Sequence, residues 1–223
     1  MAGQIRLCAS GRARHCDRPS ISRFFLTAFS LLFNLGSFTK SYLLQLIYCI
    51  ATITQHYNNN KMPDQISVLF VCLGNICRSP MAEGIFQNLA KQPNLKDKIG
   101  RIDSCGTAAY HSGEPPDDRT MATLEANGID DYDHLARRFH PSDFTTFDYI
   151  FAMDRSNLSD LLRLQKNNPD STAKVMLFGE FSGTKRPEIV NDPYYGGNDG
   201  FSKAYEQCTR FSKNFVKETF GEE

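Results

Sequence analysis

The sequence predicts an α/β fold: a single doubly wound domain whose central parallel sheet of about four strands is flanked by helices. After Met62, short runs of β-branched and aromatic residues alternate with segments whose apolar residues recur at helical spacing. This alternation indicates a parallel sheet, because a helix usually carries the chain back between two parallel strands. A chain of 223 residues is also long enough for one domain with a sizeable core.

Four strands are predicted from short runs of β-branched, aromatic and other apolar residues. The first run, Ile-Ser-Val-Leu-Phe-Val, is almost continuously apolar, which is typical of a buried strand in a parallel sheet. The predicted strands are Ile66–Val71, Arg101–Ser104, Asp148–Met153 and Lys174–Phe178.

The segments that follow these strands are predicted as helices. The first begins near Pro80, and its apolar residues Met81, Ile85 and Leu89 share one face. An Asn-Gly pair ends the second, and five apolar or sulfur-containing side chains share one face of the last. The first predicted helix begins at about Pro80. The other three span Asp117–Ala126, Ser156–Leu164 and about Gly200–Thr219.

Residues 1–61 differ from the rest in charge and pattern. They hold seven basic residues and one acidic residue, a net charge of +6, whereas residues 62–223 hold 18 basic and 24 acidic residues, a net charge of −6. Two apolar runs, 24–33 and 42–53, are shorter than the roughly 20 residues that span a membrane. We expect an N-terminal extension that is disordered, a removable leader or not part of the working protein, followed by one domain over 62–223.

Charge and cysteine content exclude several functional classes. A net-acidic body does not favour nucleic acid as a partner, because phosphate backbones are bound by clustered Lys and Arg. Seven cysteines without a regular spacing do not indicate a disulfide scaffold. The sequence contains no Cys-x-x-Cys pair, so it does not indicate a zinc site of that kind. We therefore expect reduced thiols in a cytoplasmic protein, with an organelle as the alternative if the basic extension is a transit peptide.

The most informative stretch is a Cys-x5-Arg motif that runs from Cys72 to Arg78, directly after a predicted strand and before a predicted helix. Such a loop can point successive backbone N–H groups at one anion, and the helix N-terminus adds its positive end. Gly74 is expected to adopt backbone angles that other residues resist. Arg78 offers two parallel donors to phosphate oxygens, and the same cationic surroundings favour a reactive thiolate. A second match, Cys8–Arg14, follows no strand and predicts no anion site.

The run from Val71 to Glu83, Val-Cys-Leu-Gly-Asn-Ile-Cys-Arg-Ser-Pro-Met-Ala-Glu, resembles the signature of the low-molecular-weight protein tyrosine phosphatases. A second stretch, Asn191 to Gly196, resembles the Asp-Pro-Tyr loop of that family, and three intermediate stretches also match its patterns. The resemblance covers essentially all of the chain after Met62. It implies hydrolysis of phosphotyrosine and small aryl phosphates, including acid phosphatase activity, without a metal or other cofactor.

The resemblance implies a role for each matching residue. Cys72 would attack phosphorus, Arg78 would hold the phosphoryl oxygens, and Asp192 would act as general acid and then general base. Taken alone, Asp192 before a proline is more often a turn residue. The residues expected to bind phosphate or shape the loop are Leu73, Gly74, Asn75, Ile76, Cys77, Ser79, Ser104 and His134.

Three of these residues have alternative interpretations. His134 is expected to orient the loop rather than to react, and Ser79 could also begin the helix before Pro80. For Cys77 the resemblance implies a reversible disulfide with Cys72 under peroxide, although a small buried residue that merely fits would look the same.

Tyr110, Tyr194 and Tyr195 are expected to line the mouth of the cleft, where aromatic walls suit a phenyl ring and a deep slot excludes phosphoserine. Ordinary surface tyrosines are the alternative. The implied partners are tyrosine-phosphorylated proteins. We expect no membrane association, and weak self-association is an open alternative. In some relatives the paired tyrosines are themselves phosphorylated.

Related enzymes offer other reactions on this fold. Arsenate reductases use extra cysteines near the site, and none occurs between Asp130 and Phe147. Arginine-specific members carry Thr at the position of Ile76, so the resemblance favours tyrosine. A phosphate-binding module without activity is a further alternative, but it would have little use for Cys72 and Asp192 together. A membrane-tethered phosphatase is the last and least favoured.

Overall fold

The computed structural model describes residues 65–194 and 199–221, which fold around one parallel sheet. The strands are β1 (Ile66–Cys72), β2 (Ile99–Gly106), β3 (Tyr149–Ala152) and β4 (Lys174–Leu177). The helices are α1 (Arg78–Ala90), α2 (Asp118–Ala126), α3 (Asp143–Thr146), α4 (Arg155–Lys166) and α5 (Asp199–Phe220), with a 3-10 turn over Phe178–Phe181.

The strand order β2-β1-β3-β4 places the first strand inside the sheet. Strand β1 pairs in parallel with β2 on one side and with β3 on the other. The chain therefore leaves β1 at the point where successive strands are added on opposite sides. In open parallel sheets, crevices for ligands form at the carboxyl ends of such strands.

One face of the sheet packs on α1 and α5 through a cluster of phenylalanines. The rings of Phe70 and Phe86 lie 5.6 Å apart, and those of Phe151 and Phe215 lie 5.1 Å apart, both centroid to centroid. Phe178 packs edge-on against Phe70 at 5.1 Å. All five side chains are fully buried, so this layer fixes the sheet against the two helices that flank the loop after β1.

The opposite face is covered by α3 and α4. Leu69 and Val71 alternate with the residues of the phenylalanine face, as neighbouring residues of a strand must. They pack with Ile150, Phe144 and Leu161, all fully buried. Because β1 is buried on both faces, its sequence is a nearly continuous apolar run.

The predicted fold class and all eight predicted elements are confirmed, with shifted ends. Helix α1 begins at Arg78, two residues before the predicted start, and its N-cap position is Cys77, without a side-chain cap. Ser79 therefore lies inside the first turn and does not begin the helix. The short α3 and the 3-10 turn were not predicted, because four residues give too little periodicity to detect.

The predictions for residues 1–61 and for Tyr195 lie outside the described residues. Among residues 65–194 and 199–221, no helix is long and apolar enough to cross a membrane.

Candidate active site

Cys72 ends β1 and lies at the bottom of the loop that connects β1 to α1. Its side chain is 3% exposed. The Asn75 N–H donates to Cys72 Sγ at 3.2 Å, and Ser79 Oγ lies 3.0 Å from the same sulfur. Ser79 Oγ accepts a hydrogen bond from the Asn75 amide at 3.0 Å, and its own hydrogen has two acceptors in reach, Cys72 Sγ and the Cys105 carbonyl oxygen at 3.4 Å. Cys72 Sγ therefore lies within hydrogen-bond distance of a backbone N–H and of a hydroxyl group.

Asn75 holds the loop in an unusual conformation. Its φ is +60°, in the left-handed region, where Asn is tolerated better than most residues. The Asn75 Oδ1 accepts from His134 Nε2 at 2.9 Å and from the Arg137 N–H at 2.8 Å, and Nδ2 also donates to Ser104 Oγ at 2.8 Å. The strained residue in this loop is therefore Asn75, and the prediction that Gly74 supplies the unusual backbone angles is wrong.

Gly74 instead gives space. A Cβ atom at this position would lie 3.0 Å from Cδ2 of His111, tighter than an ordinary van der Waals contact. His111 Nδ1 in turn lies 2.7 Å from Glu114 Oε2, within hydrogen-bond distance. Glycine thus lets the His111 ring lie against the loop from Cys72 to Arg78, which we call the phosphate loop after the anion site that its motif predicts.

Behind the loop lies a buried polar network centred on Glu83. Ser104 and Tyr132 each donate a hydroxyl hydrogen to Glu83 Oε2, at 2.7 and 2.8 Å. Burial raises the pKa of Glu83 to about 7, and burial also lowers the pKa of His134. His134 Nδ1 lies 3.2 Å from Glu83 Oε2. A proton between them removes the repulsion that two acceptors would suffer.

Glu83, His134 and Asp103 bring three potential metal ligands within 4.8 Å of one another. The carboxylate of Asp103, however, is already paired with two guanidinium groups, those of Arg101 at 2.7 Å and Arg137 at 3.1 Å. We therefore assign this cluster to the network that supports the phosphate loop.

Arg78 begins α1, and its guanidinium is held by two carboxylates. Nη1 donates to Asp154 Oδ2 at 2.6 Å, and Nη2 donates to Asp192 Oδ2 at 2.8 Å. Burial alone would lower the pKa of Arg78, but its interactions with Cys72, Asp154 and Asp192 outweigh burial, and the pKa is raised. Arg78 is thus a buried, permanent cation beside Cys72.

Sequence reasoning missed Asp154 as a site residue. Asp154 is the N-cap of α4, where its Oδ1 accepts the Asn157 N–H at 2.8 Å while Oδ2 receives Arg78. The signal in the sequence was an Asp three residues before the Asn that it caps, immediately after a predicted strand. That signal predicts a helix start and does not indicate which cation the second oxygen meets.

The cleft above Cys72 has a volume of about 220 Å³. Tyr110 and Tyr194 line it, and the Tyr110 side chain is 78% exposed. The residues that line the cleft are Cys72, Leu73, Gly74, Ile76, Cys77, Arg78, Tyr110, His111, Asp192 and Tyr194. Ser79, Ser104 and His134 lie behind the loop and reach the cleft only through Cys72 and Asn75.

Two further side chains define the chemistry of the cleft. Burial and the nearby Asp117 raise the pKa of Cys77 to about 12, which keeps Cys77 as a thiol beside Cys72. The Asp192 side chain is 39% exposed, and its Oδ1 accepts the Tyr194 N–H at 3.1 Å. Asp192 therefore forms a local turn through one carboxylate oxygen and contacts Arg78 through the other.

Comparisons with known proteins identify the family to which this chain is similar. A family model described as low molecular weight phosphotyrosine protein phosphatase matches residues 67–223. A protein of that description from Schizosaccharomyces pombe is 54% identical over 156 residues, which are 70% of this chain and 98% of that protein. The one from Homo sapiens is 44% identical over 151 residues, 68% of this chain and 94% of that protein. The crystal structure of a Drosophila arginine phosphatase is 39% identical, covers 69% of this chain and 98% of its own, and superposes with a TM-score of 0.65.

Proposed function

Because this chain belongs to the low molecular weight phosphotyrosine protein phosphatase family, we propose that Cys72, Arg78 and Asp192 carry out its hydrolysis of phosphotyrosine. The chain is a protein tyrosine phosphatase, and the roles of its individual residues are our assignment. The observation that supports this assignment is the arrangement around Cys72. Its sulfur accepts the Asn75 N–H, and beside it lies a buried guanidinium that also binds Asp192.

In the first step the Cys72 thiolate attacks phosphorus, so that the S–P bond forms as the bond from phosphorus to the tyrosine oxygen breaks. Arg78 binds two equatorial oxygens, and the N–H groups of the loop bind the charge that is shared among them. Asp192 gives its proton to the leaving oxygen, because a tyrosine hydroxyl has a pKa of about 10 and leaves poorly as an anion.

In the second step water attacks the phosphocysteine. Asp192, now a carboxylate, takes a proton from that water, the S–P bond breaks, and inorganic phosphate leaves with Cys72 restored as a thiolate. The same carboxylate therefore acts once as an acid and once as a base, and each turnover restores its starting state.

The substrate class follows from the walls of the cleft. Tyr110 and Tyr194 offer aromatic surfaces at the mouth, while the thiolate lies at the bottom, so a long, flat phosphotyrosine reaches it more easily than a short phosphoserine. Tyrosine-phosphorylated proteins are the partners. The net-acidic charge of residues 62–223 supports proteins rather than nucleic acid as substrates.

Phosphoarginine is the second candidate substrate, since a Drosophila arginine phosphatase is 39% identical in sequence to this chain. Ile76 lines the cleft and presents a hydrocarbon side chain without a hydrogen-bonding group. A guanidinium substrate carries several N–H donors that need acceptors when buried. We therefore rank phosphotyrosine first.

We also propose a reducing, cytoplasmic location. Cys72, Cys77, Cys105 and Cys208 are free and buried, as expected of a protein kept reduced. The predicted disulfide under peroxide fits the shared cleft of Cys72 and Cys77. Peroxide would oxidise the Cys72 thiolate to a sulfenic acid, and the Cys77 thiol would condense with it, so that the S–S bond forms as the S–O bond breaks and water leaves with the thiol proton.

The first test is metal-free turnover by the full chain and by Cys72→Ser. We expect hydrolysis of p-nitrophenyl phosphate and of a phosphotyrosine peptide, both reduced at least about a thousandfold in Cys72→Ser. Cys208→Ala, which removes a buried thiol on α5, is the matched control and should stay active. Activity that survives Cys72→Ser would rule out the nucleophile, and faster turnover of a phosphoarginine peptide than of a phosphotyrosine peptide would replace the substrate.

A further inference from the structure

Arg119, in the first turn of α2, connects several parts of the cleft rim. Its Nε and Nη2 donate to the two oxygens of Asp117 at 2.9 Å each, a bidentate pair. Its guanidinium also lies over two aromatic rings, 4.6 Å from the centroid of Phe201 on α5 and 5.3 Å from that of Tyr194. We call this set of contacts the Arg119 bridge.

One end of the Arg119 bridge is fixed to the phosphate loop. The backbone N–H of Asp117 donates to the carbonyl oxygen of Ile76 at 2.8 Å. The Asp117 side chain in turn caps α2 by accepting the Arg119 N–H at 2.9 Å. Any movement of Asp117 would therefore disturb both the loop that surrounds Cys72 and the start of α2.

The other end of the Arg119 bridge is fixed to the segment that carries Asp192. Arg119 Nη1 donates to the Tyr194 carbonyl oxygen at 3.2 Å, and the Tyr194 N–H donates to Asp192 Oδ1 at 3.1 Å. Two hydrogen bonds and one residue thus separate the guanidinium from the carboxylate of the acid.

Stability alone explains Arg119 poorly. Its side chain is 47% exposed, and an exposed ion pair adds little to folding free energy. A cation in the first turn also opposes the positive end of the helix dipole. A planar guanidinium that binds a carboxylate, a carbonyl oxygen and two ring faces is instead suited to fixing distances.

We infer that Arg119 is a positioning residue that holds the Asp192 segment at a fixed distance from the phosphate loop, so that the acid reaches the leaving oxygen. This inference rests on the role proposed above for Asp192. Arg78 also binds Asp192, but a phosphate group would compete for the same Nη2 donor. The Arg119 bridge does not use the Arg78 guanidinium, so a phosphate group bound to Arg78 does not compete with it for a donor.

The test compares leaving groups in the full-length chain. Arg119→Met keeps an unbranched, though shorter, side chain and removes its charge and its donors. We expect kcat/KM for phenyl phosphate and for a phosphotyrosine peptide to fall roughly tenfold, because a misplacement of about 1 Å can cost a hundredfold and a smaller displacement costs less. For p-nitrophenyl phosphate, whose leaving group needs less protonation, we expect a loss of less than about twofold. Arg119→Lys should recover only part of the activity, since it lacks the planar fork.

Three controls decide the outcome. Arg163→Met removes an exposed Arg–Asp pair on α4 and should leave kcat/KM unchanged for both kinds of leaving group. Asp192→Asn should show the same leaving-group dependence, and Arg119→Met added to Asp192→Asn should have almost no further effect. Equal losses for both substrates in Arg119→Met, or a full further loss in the double variant, would overturn the inference alone. If Asp192→Asn itself shows no dependence on the leaving group, the acid assignment is wrong, and the inference is overturned with it.

Discussion

At the scale of single residues, Asn75 connects most of the groups that shape the phosphate loop. Its backbone is in the left-handed region, its N–H is directed at Cys72 Sγ, and its amide binds Ser79, Ser104 and His134. A side chain with both donors and an acceptor is needed for this, and Asn also tolerates the positive φ. Backbone strain and the hydrogen bonds that maintain it thus meet in one residue.

Asn75→Gly and Asn75→Ala separate these two contributions. Both remove the amide, so we expect kcat/KM to fall by about a hundredfold in each. Only alanine strains the backbone at φ +60°, so Asn75→Ala should be less stable than Asn75→Gly by about 1 kcal/mol. Chemical denaturation and steady-state kinetics give both quantities. Equal stability of the two variants would show that the loop relaxes when the amide is lost.

Glu83 predicts a pH dependence of folding. Its folded pKa, raised to about 7 by burial, exceeds the value of 4.5 expected when unfolded, so the folded state binds this proton more tightly. The stability associated with that proton is complete below pH 4.5 and is lost as pH rises through 7. The unfolding free energy of Glu83→Gln lacks this pH dependence. We therefore expect the difference between Glu83→Gln and the parent to shift in favour of the variant by about 2–3 kcal/mol as pH rises from 5 to 8.

Denaturant titrations at several pH values measure the Glu83 effect. Glu125→Gln, at an exposed position on α2, is the matched control and should follow the parent at every pH. A Glu83→Gln curve parallel to the parent curve would mean that Glu83 ionises normally when folded.

At the scale of elements, Arg78 and its partner Asp154 lie at the N-termini of two helices. Helix α1 begins with Arg78, and helix α4 is capped by Asp154, whose second oxygen binds Arg78 at 2.6 Å. The orientation of the Arg78 guanidinium therefore depends on where α4 begins. The two roles of Asp154, helix cap and partner of Arg78, can be separated by substitution.

Asp154→Asn should keep the cap, because Asn caps helices about as well as Asp, but it removes the charge beside Arg78. We expect roughly a tenfold loss of kcat/KM, as the arginine is less firmly oriented, with little change in stability. Asp154→Ala should lose a further 1 kcal/mol or so of stability along with the cap. If Asp154→Asn were as active as the parent, the ion pair would have no part in orienting Arg78.

At the scale of the whole molecule, the site is assembled from segments that are distant in sequence. Arg78 meets Asp154 across 76 positions and Asp192 across 114. These segments follow β1, β3 and β4, whose parallel arrangement brings their carboxyl ends to one edge of the sheet. An anion bound there contacts several elements at once and should stabilise the whole fold.

Inorganic phosphate should therefore raise the melting temperature of the full chain. At a concentration about 100 times its Kd, a ligand that binds only the folded state adds about 2.7 kcal/mol. We expect Arg78→Met to lose most of this shift, because the fork for two phosphate oxygens is absent. Thermal scans with phosphate, and with chloride at matched ionic strength, measure it. A shift that survives in Arg78→Met would place the anion elsewhere.

The sequence by itself determined the fold class, the order of the elements and the loop from Cys72 to Arg78. Each of these is written in contiguous residues: hydrophobic periodicity for the strands and helices, and a fixed spacing for the anion loop. Helix ends were less well predicted, since the start of α1 is set by the loop that precedes it and not by a capping side chain.

Only the tertiary structure decided which distant groups meet. It placed Asp154 on Arg78, buried Glu83 beside His134, gave the positive φ to Asn75 instead of Gly74, and connected Arg119 to Asp192 through Tyr194. A hydrogen bond or ion pair acts over a few ångströms of space, whereas sequence patterns report neighbours along the chain. The partner of a charged side chain is thus fixed by strand order and packing, which bring together residues that no local pattern connects.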